Sequence, residues 1–389
     1  PIRAGTDYFQ TIPVAKLTLV SYDAVNLDKV ILADGNIYTV DGGGAPGDGD
    51  VYKGSARTDV ARGQIAGGIT NANYGYPSAA MDNLGPQDTN LRVLLHSSGL
   101  YQNGVVRHGL SAISNLTHLY DSVGNELSHE LGHTYGLPDY YGRDTSATGD
   151  AIVGPAAHNA ESGWGYIAYR NEMRSNLYTG AFVPNRETAQ YPYSVSLQGL
   201  YNYNADAMSG GGPASLTSRY THHTAYSLRA IQQFLKDVVA DTAYPSGYRH
   251  WNASTGTWVD ARTVNPSFSL PRPTAVGVPV VTIVGGYTPN SPDKTVIYPA
   301  MRAGYGNVFT LAQANTSATS SSRTCWLSVE FADAPTQNIA LRAHDGTQKL
   351  SVNIAQSERP TSAQVACRQA GVTTLLGNRI EIAADAPES

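Results

Sequence analysis

Apolar positions along this chain follow a mixed pattern first and a strand pattern later. Val14–Val20 alternates apolar with polar residues and is rich in β-branched side chains, as a half-buried strand is. The segment up to about Tyr76 therefore reads as strands and turns leading into a helix near residues 57–67. Leu91–His96 is a short apolar run, the pattern of a buried strand. A helical pattern returns near residue 122 and again over about 225–240. In the second stretch Leu228, Ile231, Leu235 and Val238 make one apolar stripe. Beyond residue 243 the chain turns to short strands punctuated by Pro, Gly and Ser. Val278–Gly286 and Val296–Pro299 are β segments, and Cys325–Glu330, Ile339–Ala343, Lys349–Ile354 and Arg379–Ile382 alternate like sandwich strands. The expectation is an α+β protein divided at about residue 242. Residues 1–242 carry the helices, and 243–389 form a β-rich, sandwich-like portion, part of it integral to the first.

Within the helix expected at about 122–135 lies His129-Glu130-Leu131-Gly132-His133, followed by Gly136 and Asp139. Residues four apart share a helix face, so His129 and His133 can hold one metal ion between them. Glu130 stands ~100° further round, where a general base for an activated water belongs. Gly136 can adopt positive φ and stop the helix, and Pro138 cannot continue it. The returning chain can then bring Asp139 to the metal as third ligand. This is the chemistry of a zinc-dependent hydrolase with one catalytic Zn2+. Asp206–Gly212 places Met208 in a glycine-bounded turn, which fits the methionine turn that underlies the metal in metzincins, here about 206–211. Glu172 is the rival third ligand, on the pattern of thermolysin-like enzymes, which use a glutamate from a later helix. A two-His-one-carboxylate iron oxygenase is a further alternative, against which Glu130 beside His129 argues for hydrolysis.

Composition narrows the setting. Charged residues are only 15% and net charge is -5, which gives no electrostatic reason to expect a nucleic-acid partner. No apolar run reaches the ~18 residues of a spanning helix. Abundant Tyr and Gly with few Lys and Arg point to an extracellular protein. Cys325 and Cys367 are the only cysteines; they read as one disulfide, the alternative being two buried thiols. The glycine-rich acidic stretch Asp41–Asp50 matches no calcium-loop spacing and reads as a loop.

Several stretches together resemble the StcE/dictomallein family of secreted bacterial metalloproteases. They are Asp7–Val14, Gly68–Gly75, His129–Tyr140, Asp206–Gly211, Gly277–Thr282 and Ile297–Ala300. The resemblance implies a metzincin-like zinc endopeptidase, secreted by bacteria of mucosal surfaces, that cuts O-glycosylated, mucin-like proteins. By position the family's zinc histidines fall on His129 and His133, its catalytic glutamate on Glu130, and its third ligand on Asp139. The tyrosine near the glycan falls on Tyr140. The sequence departs from the family twice. Asp139 stands where an imidazole is expected, and the upstream Trp-His pair associated with glycan contact is missing, leaving Tyr52 as the aromatic there. Trp164 and Tyr166 line a cleft or belong to the core.

The expected function is thus a secreted zinc metalloendopeptidase with Glu130 as general base. Its partners would be mucin-domain glycoproteins contacted through Tyr140, Trp164 and Tyr52, and it would act as a monomer. A zinc protease without glycan dependence, and a glycan-binding adhesin module with a structural zinc, are the alternatives.

Overall fold

A computed structural model describes residues 2–87, 89–109, 115–121, 125–138, 165–167, 171–174, 177–178, 202–203, 207–209, 223, 225–235 and 238–383. The chain forms two compact units. One comprises residues 1–19 and 109–236, the other residues 20–108 and 237–389.

The second unit is mostly β. Its first sheet is built on the long strand Pro273–Tyr287, which pairs with Gln348–Ala355 on one edge and with Thr295–Ile297 and Met301–Phe309 on the other. Ser78–Ala80 adds to the far edge of Gln348–Ala355. The second sheet runs Gln337–Leu341, Thr324–Phe331, Pro360–Gln369 and Val372–Glu381, all antiparallel. Alternate residues of both sheets fill the layer between them. Val281, Ile283, Leu350, Val352, Leu327, Val329, Val365 and Leu376 are all buried there. This is the sandwich that the alternation of the last third of the chain predicts. Cys325 and Cys367 stand opposite each other on neighbouring strands and are disulfide-bonded. In the chain-entropy picture, closing a loop of this separation is worth about 4 kcal/mol.

The other face of the first sheet is covered by the helix expected near residues 57–67. A π-helix over Ala56–Ala66 runs into an α-helix over Gly67–Asn73. Gly68 permits the close approach, since a Cβ there would lie 2.7 Å from Val284 Cγ1. Lys349 is wholly buried beneath the helix, and its ammonium donates to the carbonyls of Gly63 (2.8 Å) and Met81 (3.4 Å). Burial pushes its pKa down to about 8. The fully buried cation therefore ties the helix to the strand beneath it.

Among the described residues the first unit carries the α-helices Ile2–Phe9, Asn125–Thr134 and Ala225–Phe234. The chain opens with the helix Ile2–Phe9, not a strand. Val14–Val20 lies outside every ladder, with Val14 and Leu17 packed on this unit's core. That core joins Tyr8 and Ile12 to Leu131, Tyr135, Leu137, Met208 and Ile231. Ile231 belongs to the helix Ala225–Phe234, which ends sooner than the stripe to Val238 suggests. Among the described residues no helix is long and apolar enough to cross a membrane.

Candidate metal centre

The HExxH segment forms the helix Asn125–Thr134. Leu131 is buried in the core and Leu127 packs against it, so the apolar face of the helix is the one turned inward. Glu126 lies in the first turn, where a carboxylate complements the helix dipole. Its side chain also accepts from the backbone N–H groups of Tyr120 and Asp121 (2.8 Å for Asp121), fastening the incoming chain to the helix.

The helix ends as Gly136 requires. Gly136 has φ +78°, a conformation that costs a residue with a Cβ. The Leu137 N–H reaches back to the Gly132 carbonyl (3.2 Å) and the Gly136 N–H to that of His133 (2.9 Å), the double closure of a Schellman motif. The turn has a chemical consequence, because it sets the carbonyl of Leu137 against the ring of His133. His133 Nδ1 lies 2.9 Å from that oxygen.

His129 is held in the same manner from elsewhere in the chain. Its Nδ1 lies 3.0 Å from the carbonyl of Ala207, at the start of the 3-10 turn Ala207–Ser209. A carbonyl oxygen only accepts, so these partners assign the ring proton of each histidine to Nδ1. Each neutral ring then offers a lone pair at Nε2, and the two Nε2 atoms stand 3.1 Å apart. Two lone pairs at that distance repel unless a cation lies between them. Two nitrogens bound tetrahedrally to one zinc ion stand ~3.3 Å apart. The pair therefore fits a shared divalent metal, with each ring oriented by a carbonyl behind it as metal-bound histidines commonly are.

Met208 is fully buried under this helix. A Cβ built on Gly132 would fall 2.1 Å from the Met208 sulfur, so the glycine inside the motif is what lets the turn approach. Sequence reading placed Met208 in the turn but passed over Gly132, Glu126 and the two carbonyls. A glycine in mid-helix, costly by ~1 kcal/mol against alanine, was the available signal of close approach. Gly132→Ala should lower stability by about 1–3 kcal/mol through overpacking. Met208→Ala, which clears the sulfur, should cost less in the Gly132→Ala background than in the parent. Thermal unfolding of the single and double variants tests the contact, and an unchanged midpoint for Gly132→Ala would refute it.

His129 and Glu130 are buried and His133 is half-buried. His223 is buried too, its Cε1 3.6 Å from the same Cβ position. Asp139, Tyr140 and Trp164 lie outside the described residues, and no group of three metal-ligating side chains occurs among the described ones. Glu172 lies in the short strand Glu172–Arg174, paired with Gly165–Ile167, and not on the helix that a thermolysin-like ligand requires. Tyr166 is exposed and its hydroxyl donates to Asn171, so it is not a core residue. Tyr52 is 64% exposed in the other compact unit. His108 is buried against Tyr101 with Nε2 2.9 Å from the tyrosine oxygen.

Comparison with known proteins bears on the same residues. A family model described as Peptidase M66 matches residues 3–240, more than half of the chain. A second, described as ToxR activated gene A lipoprotein domain, matches residues 271–367. The chain is 31% identical over 317 residues to the ToxR-activated gene A lipoprotein of Vibrio cholerae, covering 79% of this chain and 29% of that protein. It is 32% identical over 263 residues to Metalloprotease StcE of Escherichia coli O157:H7, covering 65% of this chain and 27% of the other. Dictomallein-1 of Dictyostelium discoideum is 29% identical over 133 residues, covering 33% and 21%. The chain thus spans less than a third of the length of these relatives.

Proposed function

From the membership of this chain in the M66 peptidase family, that of StcE and dictomallein, we propose that it is a secreted zinc endopeptidase acting on O-glycosylated, mucin-like proteins. The observation that carries the reading is the convergence of His129 and His133 Nε2 at 3.1 Å, each ring held through Nδ1 by a backbone carbonyl. Asp139 is the third ligand and Glu130 the general base. A zinc ion bound there supplies Lewis acidity to the scissile carbonyl and to the attacking water. Glu130 takes a proton from that water and delivers it to the leaving amine. Ala207 and Leu137 keep the imidazoles in one tautomer and one orientation. Met208 supports the helix from below, as in a metzincin-like fold.

Residues 1–242 form the catalytic portion in this reading and 243–389 the β-rich one. Family models over 3–240 and 271–367 support that division. Residues 20–108 group with the β-rich unit. Tyr140, Trp164 and Tyr52 are assigned to glycan contact, and the protein acts as a monomer outside the bacterial cell. Its relationship to StcE supports the mucin substrate, and the missing Trp-His pair leaves a smaller aromatic surface for the sugar.

Digestion of one mucin-type glycoprotein, before and after enzymatic removal of its O-glycans, tests the substrate. Cleavage should be confined to the glycosylated form and abolished by a zinc chelator. Equal cleavage of both forms would keep the peptidase and dismiss the glycan requirement.

A further inference from the structure

In the β-rich unit, Val239–Ala240, Tyr248–Asn252 and Thr257–Asp260 form a three-stranded antiparallel sheet. Its two faces are used differently. Tyr248 is wholly buried and stacks edge-on against Phe268, so one face is committed to the core. On the other face Trp251 stands directly opposite Trp258, and Arg249 opposite Asp260. The two indoles lie 5.4 Å apart at 69°, an L-shaped apolar step, and each leaves about two-fifths of its surface in water (41% and 40%). The Arg249 guanidinium sits 4.4 Å above the Trp258 ring and pairs with Asp241 at 3.6 Å. Asn252, Ser254, Thr255 and Thr257 surround the hairpin tip with hydroxyl and amide groups.

A cross-strand staple does not require two half-exposed indoles, and the buried face already anchors the hairpin. The combination of flat apolar rings, a polar rim and a cation matches a pyranose, which is apolar on its C–H face, polar at its edge and, in acidic sugars, carries a carboxylate. We propose that Trp251, Trp258 and Arg249 form a second, non-catalytic binding site for acidic O-glycans. Only the choice of O-glycan rests on the function proposed above.

The test uses the full chain carrying Glu130→Gln, so that ligand is not consumed. Intrinsic tryptophan fluorescence is followed while a threonine peptide bearing sialyl-galactosyl-N-acetylgalactosamine is added. The asialo and unglycosylated peptides are run in parallel. The sialylated peptide should bind best, and Trp251→Ala and Trp258→Ala should each weaken it roughly tenfold. Arg249→Gln should bring its affinity down to that of the asialo form. Trp258→Tyr, which keeps an aromatic cross-strand pair, should fall between parent and alanine variant and thereby separate recognition from hairpin folding. With Glu130 intact, both alanine variants should cleave the asialo glycopeptide with the parent's kcat. Failure of every form to cleave would count against the peptidase and leave the binding result standing. The site is refuted if the parent binds no glycopeptide, or if the alanine variants bind within twofold of it. It is equally refuted if the unglycosylated peptide binds as well, which would make the step a peptide groove.

Discussion

Replacement of Glu130 by glutamine should leave a folded, zinc-loaded protein whose kcat falls by about a thousandfold, with KM little changed. The two side chains have the same shape and nearly the same volume, so the packing around a residue only 1% exposed is preserved. What changes is basicity, because an amide cannot take a proton from water at neutral pH. A thousandfold loss is ~4 kcal/mol of transition-state stabilisation, within the range for a positioned acid–base group. The kcat–KM split carries the meaning, since a purely structural role would raise KM, lower the unfolding temperature or release the metal. Three measurements on the one variant are enough: zinc per chain, the thermal midpoint, and kcat on a quenched-fluorescence O-glycopeptide. Activity within tenfold of the parent, at full zinc content, would remove Glu130 from the chemistry.

The candidate metal centre was legible in the sequence as far as its covalent pattern reaches. His129 and His133 sit at helical spacing, and helical spacing fixes that they face one way. Gly136 was legible because positive φ after a helix is chemically demanding, and it was found at φ +78°. The carbonyls of Ala207 and Leu137 were not, because every residue has a carbonyl and only tertiary structure selects one. The same division holds for the fold. Strands such as Thr324–Phe331 announce themselves by alternation over a buried face. The helix Ile2–Phe9 did not, since a short segment takes its conformation from what it packs on, here through Tyr8, whose hydroxyl donates to that of Tyr135 at 3.2 Å. Nor could local pattern show that Ser78–Ala80 completes a sheet with Gln348–Ala355, which joins the chain's first third to its last.

Removal of the Asp139 carboxylate should cost the protein its zinc. Two histidines alone make a weak site, and a catalytic zinc ordinarily has three protein ligands. The hydrogen bond between His133 Nδ1 and the Leu137 carbonyl pins the backbone beside the imidazole. Asp139 follows two residues later in the sequence, and two residues of extended chain span at most ~7 Å. Glu172 lies in a strand. Asp139→Ala should therefore retain less than about a tenth of an equivalent of zinc after dialysis against a weak chelator, with peptidase activity falling in parallel. Glu172→Ala should keep the parent's zinc and activity. Asp139→His restores a neutral ligand and raises the charge of the site by one. That variant should hold zinc and shift the acidic limb of the pH–rate profile to lower pH, because a more positive site favours the deprotonated water. The reverse pattern, with zinc lost from Glu172→Ala and kept by Asp139→Ala, would transfer the third ligand to the strand and overturn the metzincin-like reading.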